Sequence, residues 1–158
     1  MEEISITVFV GSNHGHDKVT RRSITGLIAF LGRTPAFYLS KQQGAIETST
    51  YGAKFCAMKT GVEETIAIRY LMRCLGVNVE TASLLCGDNM GVIQNSTIKS
   101  SILKKKYIAI SYHKTREAAA SGTMYPIKTY GTINYAYVLT KSQDLKTFQL
   151  ITVSYFYG

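Results

Sequence analysis

Three apolar, β-branched runs stand in series over the first forty residues, and the hydrophobic period then changes once. ISITVFV at residues 4–10 alternates as a half-buried strand does. RSITGLIAFLG at 22–32 and AFYLS at 36–40 form two more runs, separated by Arg33-Thr34-Pro35, which reads as a hairpin connection. From residue 49 to 75 the spacing becomes helical: Phe55, Met58, Val62, Ile66, Tyr70 and Cys74 recur every three or four positions. Thr48, Ser49 or Thr50 can cap that helix, Gly76 can end it, and Gly61 inside it implies close backbone packing. An antiparallel three-stranded meander followed by one long amphipathic helix has few ways to bury both apolar faces. Packing one on the other is the simplest.

The remaining elements extend this plan. Residues 82–86 (ASLLC) read as a buried strand ending in Gly87-Asp88-Asn89, followed by a short helix over 90–95. Residues 102–121 form a basic helical segment closed by Gly122, then come a strand near 124–129 and a short helical piece over 134–141. The tail FQLITVSYFYG fits either an extra strand or a final helix. The order βββ-α-β-α-α-β-α has no linker or repeat, and 158 residues suit one domain, 1–158. The fold class is α/β: a five-stranded mixed sheet, its first three strands antiparallel, with helices packed on it.

Composition narrows the class of function. The chain is 46% hydrophobic and 18% charged, globular rather than disordered, and its apolar runs are shorter than the ~20 residues that span a bilayer. Glu2 and Glu3 follow Met1 without a leader pattern, so the expected location is intracellular, cytoplasmic or nuclear, with no membrane partner. Cys56, Cys74 and Cys86 have no CxxC spacing and are expected as buried free thiols. Eighteen Lys and Arg against ten Asp and Glu give a net charge of +8, which favours a polyanionic partner. Lys99, Lys104, Lys105, Lys106, Lys114 and Arg116, with Tyr107 and Tyr112 interleaved, read either as a phosphate-tracking surface or as a solvated helix face. Arg21, Arg22, Lys41 and Asn89 are further candidates for nucleic-acid contacts. Most of the eleven tyrosines are expected to pack rather than to stack on bases.

Six motifs occur in order: D-x-x-T-R-R-S-x-x-G at 17–26, S-K-x-Q at 40–43, ETSTYGAKFCAMKTGVE at 47–63, GDN at 87–89, LKKKY with SYHKTREAAASG over 103–122, and N-x-A-x-x-L-T-K at 134–141. Together they resemble the ribonuclease H domain of copia-type LTR retrotransposon polyproteins, most clearly over residues 8–141. The resemblance implies a ribonuclease H-like fold and, in the family, cleavage of the RNA strand of an RNA–DNA hybrid by carboxylates that hold two Mg²⁺ ions. Carried over position by position, the family's first Asp, in D-A-N-H-A-G-D, falls on Gly11 in GSNHGHD. Its helix Glu falls on Lys54, its strand-end Asp survives as Asp88, and its last Asp falls on Tyr137 in NYAY.

Asp88 and Lys54 together carry no net charge where the family's four carboxylates would carry −4. No metal and no other cofactor is therefore expected, and Lys54 is expected to pair with Asp88 beneath the ring of Tyr137. Asp17 is expected to cap its own loop. His14 and His16 suit magnesium poorly and belong to a solvated loop, and His113 reads as a helix-surface or packing residue. Three functional readings follow: a degenerate ribonuclease H-like domain that binds nucleic acid without cutting it, a hybrid ribonuclease using a rearranged site around Asp88 and Asp17, and a captured fold serving an unknown protein partner.

Overall fold

β1 (Ile6–Asn13) is the hub of the structure, pairing antiparallel with β2 (Ile24–Leu31) on one side and parallel with β4 (Ser83–Gly87) on the other. A computed structural model describes residues 3–79, 81–100 and 108–156. β3 (Thr34–Gln42) closes the sheet beyond β2 and β5 (Met124–Lys128) closes it beyond β4, giving the order β3-β2-β1-β4-β5. The first three strands are the expected antiparallel meander, and the sheet is mixed because β4 and β5 run parallel to β1. Parallel neighbours need crossovers, and the helices supply them.

The long helix α1 (Thr50–Cys74) crosses the face formed by Val8, Val10, Leu27 and Leu85, onto which it lowers Phe55, Met58 and Val62. Ser49 is its N-cap, the hydroxyl accepting the Gly52 N–H at 3.1 Å. Gly61 has the packing role its position suggested: a Cβ there would sit 2.7 Å from both Leu85 Cδ1 and Val10 Cγ1. α2 (Met90–Thr97) and α3 (Ala109–Ala120) flank α1, with Val92, Ile108, Tyr112 and Ala118 completing that core. On the opposite face Phe9, Phe30 and Tyr135 meet edge to face or tilted at 4.8–5.8 Å.

Several expectations need correction. The β2–β3 turn sits at Gly32-Arg33 rather than at 33–35, because Gly32 takes the left-handed conformation (φ +60°). Pro35 is thereby admitted to β3, an edge strand, opposite Phe30 beside a register shift. β2 begins at Ile24 rather than residue 22, and β1 runs on through Gly11 to Asn13. The tail resolves as helix α4 (Leu145–Phe156), and the piece around 134–141 is a 3₁₀ turn over Tyr135–Leu139. Cys86 is buried and Cys56 half-buried, but Cys74 is exposed, since the last turn of α1 carries it away from the sheet. Tyr38, Tyr70, Tyr125 and Tyr130 also face solvent, so packing accounts for fewer of the rings than the sequence suggests. Among the described residues, no helix is long and apolar enough to cross a membrane.

Candidate functional site

The carboxyl ends of β1 and β4 lie side by side, and the first turns of α1 pass over them. Gly11 lies on β1, Lys54 on α1 and Asp88 directly after β4; all three line one small cavity with Ser12 and Asn89. The 3₁₀ turn brings in Tyr137, whose ring would stand 3.5 Å from a Cβ on Gly11. Asn134, fully buried, holds that turn in place: its amide donates to the Val10 carbonyl at 2.9 Å while its oxygen accepts the Ala136 N–H at 3.0 Å. Gly131 leaves room for the tyrosine, because a Cβ there would come within 2.8 Å of the phenol oxygen. The four positions that align with the family's carboxylates thus converge in space.

Lys54 Nζ is 2.6 Å from each oxygen of Asp88, and the Tyr137 hydroxyl donates to Oδ2 of the same carboxylate. The pair is enclosed, with the Lys54 and Asp88 side chains 15% and 13% exposed. Burial pushes the Asp88 carboxyl up, but hydrogen bonds from Lys54 and Tyr137 and the ammonium charge outweigh it and hold the group below its ordinary value. Burial, reinforced by the adjacent carboxylate, raises the Tyr137 phenol well above its ordinary value, so it remains a neutral donor. The expected Lys54–Asp88 contact is therefore present and is completed by a third group.

These residues do not fit the two magnesium ions of the family's chemistry. Magnesium requires oxygen ligands in a near-octahedral set, and here one carboxylate is already occupied by an ammonium and a phenol. The cavity beside it measures about 10 Å³, room for one water. Among the described residues no group of three or more His, Cys, Asp or Glu converges to hold a metal ion.

Asp17 caps its loop as expected. Its Oδ1 accepts the Val19 and Thr20 N–H groups at 2.8 and 3.2 Å, and its Oδ2 accepts the Thr20 hydroxyl at 2.7 Å. The Thr20 hydroxyl, then the backbone donors, pull its carboxyl down to about 2. His16 Nδ1 pairs with the Asn13 amide at 2.9 Å, and His113 sits exposed on α3 against the Tyr112 ring.

The nucleic-acid candidates separate into groups. Arg21 and Arg22, in the β1–β2 loop, and Lys41, near the end of β3, are exposed at the end of the sheet where β1 finishes. Asn89 is the N-cap of α2, its Oδ1 accepting the Val92 N–H at 3.0 Å. Arg116 donates to the carbonyls of Asn95, Ile98 and Lys99 at 2.8–3.0 Å and lies over the Tyr112 ring. The guanidinium therefore closes the carboxyl end of α2. Lys114 is half-buried on α3 and Lys99 is exposed, while Lys104, Lys105, Lys106 and Tyr107 lie outside the described residues.

Sequence reasoning missed Lys128 and Lys141. Lys128 Nζ donates to the Asp88 carbonyl at 3.4 Å and lies 5.6 Å from the Tyr130 ring centroid. Lys141 Nζ lies 4.6 Å from the Tyr137 ring centroid. Lys141 closes the N-x-A-x-x-L-T-K motif, which offered a signal; Lys128 had none, because only the β4–β5 pairing brings it to Asp88.

No protein-family model matches the chain. The Retrovirus-related Pol polyprotein from transposon RE1 of Arabidopsis thaliana is 25% identical over 146 residues, 92% of this chain and 10% of that polyprotein. The chain thus spans about a tenth of the length of the curated relatives it matches. Among solved structures, the N-terminal RNase H domain of a Mycobacterium tuberculosis protein superposes with a TM-score of 0.65 at 11% identity, over 96% of this chain and 99% of that one. LC11-RNase H1, isolated from compost and solved in complex with an RNA/DNA hybrid, gives 0.62 at 12% identity over 87% and 94%. At such identities the solved structures speak to the fold, and the fold is ribonuclease H-like.

Proposed function

We propose that this ribonuclease H-like domain, related to the Pol polyproteins of retrotransposons, does not cleave hybrids by two-metal chemistry and keeps sequence-independent binding of nucleic acid. One observation carries the reading: an ammonium lies 2.6 Å from both oxygens of the carboxylate that would have to hold the metal. A divalent cation entering there would meet a like charge in place of an anion. Binding is supported by the +8 net charge, by the exposed Arg21, Arg22 and Lys41 at the site's end of the sheet, and by the basic run at Lys104, Lys105 and Lys106. A fold neighbour solved in complex with an RNA/DNA hybrid makes such a duplex the first ligand to try.

The test is cleavage of a labelled RNA–DNA hybrid in Mg²⁺ and in Mn²⁺, beside the restoring triple variant Gly11→Asp, Lys54→Glu, Tyr137→Asp. The parent should show no hydrolysis above background. Metal-dependent cleavage by the parent that vanishes in Asp88→Asn would instead establish the rearranged enzyme. Binding should weaken steeply with salt and be indifferent to sequence, and neutralising Lys104, Lys105 and Lys106 should flatten the salt slope.

A further inference from the structure

Lys54, Lys128 and Lys141 are distant in sequence, yet each reaches Asp88 directly or through one ring. Lys54 holds the carboxylate, Lys128 touches the Asp88 carbonyl, and Lys141 covers the ring of Tyr137, whose hydroxyl binds the same carboxylate. Three ammonium groups against one carboxylate leave a local surplus of two positive charges. The ion pairs among the described residues are Lys54–Asp88 and Lys59–Glu63, so neither Lys128 nor Lys141 has a carboxylate partner there.

We propose that the former metal site has reversed its charge preference and now receives an anion, a phosphodiester of the nucleic-acid backbone, held beside Asp88 and Tyr137 by Lys128 and Lys141 without any metal. The inference rests on the nucleic-acid reading above and names its contact point. In a two-metal enzyme the metal ions lie between carboxylates and phosphate, neutralising both. Here the lysines supply that positive charge permanently. Lys54 cancels the one surviving carboxylate, which would otherwise repel a phosphate, and among the described residues no carboxylate compensates the two outer ammonium groups.

The cavity between Gly11, Ser12, Lys54 and Asp88 is too small for a phosphate, so the anion would lie outside it, on the side chains that neighbour Asp88 and Tyr137. Lys128 and Lys141 are both exposed, each steadied by an aromatic ring. Tyr130, 73% exposed beside Lys128, offers a flat face to the sugar or base next to the bound phosphate.

The experiment is fluorescence anisotropy with a labelled RNA–DNA hybrid in EDTA, over a salt series. It compares the parent, Lys128→Gln/Lys141→Gln, Asp88→Asn, and a charge-matched control, Arg73→Gln/Lys146→Gln, altered on exposed residues elsewhere. The site double variant should bind about tenfold more weakly, with the slope of log K against log salt shallower by about 0.9, the value for one lost phosphate contact. The control should lose far less. Asp88→Asn should bind several-fold more tightly, the opposite of what a metal site would show. Equal losses in both double variants would reduce the effect to overall charge and overturn the inference. So would an unchanged site variant, or binding that requires Mg²⁺; a parent that still binds would leave the nucleic-acid reading standing. A parent that does not bind the hybrid at all would overturn both.

Discussion

Two aspartates in this molecule are held in opposite ways. Asp17 is half-exposed in its loop, and its carboxylate is satisfied by two backbone N–H groups, the Thr20 hydroxyl and the Gln42 amide, all neutral donors from its own loop and the end of β3. Asp88 is enclosed between strand, helix and 3₁₀ turn, and is satisfied by an ammonium and a phenol drawn from distant parts of the chain. Both carboxyls sit below their ordinary value, but the causes differ. In the loop, local donors fold around the charge and water remains close. In the site, desolvation works against the charge, and only Lys54 and Tyr137 together overcome it. The loop is therefore self-contained, whereas the site depends on the whole tertiary structure.

The most disruptive way to probe that difference is Lys54→Met. It leaves Asp88 enclosed without its cation, and unfolding free energy measured in urea should fall by about 3 kcal/mol, the lower end for breaking an enclosed pair. The double variant Lys54→Met/Asp88→Asn should recover most of the loss; if it is as unstable as the single variant, the charge is not what matters.

Tyr137→Phe removes one hydrogen bond to a charged acceptor and should cost about 1.5 kcal/mol. It also carries a pH signature. The folded phenol titrates above its unfolded value near 10, so its contribution is complete below pH 10 and is lost as pH rises beyond it. Parent and variant should therefore converge in stability at strongly alkaline pH; a gap that stays constant there would show that the hydroxyl is not the cause.

Asp17→Asn should have the smallest effect, as its carboxylate is held at the surface by neutral donors. Its folded value near 2 lies below the unfolded 3.8, so what it contributes is present above pH 4 and fades between 4 and 2. The stability gap between the parent and Asp17→Asn should be constant above pH 4 and close as pH falls through that window. A loss comparable to that of Lys54→Met would erase the distinction between the two regions.

Elements built from local pattern were readable in the sequence. The β1–β3 meander and α1 follow from alternation giving way to a helical stripe, and Ser49 caps where a capping residue was expected. The β2–β3 turn was misplaced because Pro35 reads as a breaker, whereas an edge strand tolerates it. Lys54 and Asp88 could be paired from the family alignment, since both belong to recognisable motifs. Arg116 and Lys128 could not be placed in the same way. Arg116 closes α2 from about twenty residues away, and Lys128 reaches Asp88 only through the parallel pairing of β4 with β5. A charge count records neither relation. α4 was ambiguous for another reason: Leu145, Phe148, Leu150 and Val153 remain exposed, and such a helix lacks the one-sided stripe that announces a helix packed on a core.

The seating of Tyr137 also bears on ancestry. Its ring stands 3.5 Å from where a side chain on Gly11 would begin, and its hydroxyl holds the carboxylate that Lys54 neutralises. Restoring an aspartate at position 11 alone would press a charge against that ring. Restoring a glutamate at 54 alone would face two carboxylates with no cation between them. Changing Tyr137 to aspartate alone would set two carboxylates against Lys54 and remove the phenol that donates to Asp88. The three positions are coupled through one carboxylate, so the effects of changing them should not add. Positions 11, 54 and 137 would then have to change in step, as three parts of one lock.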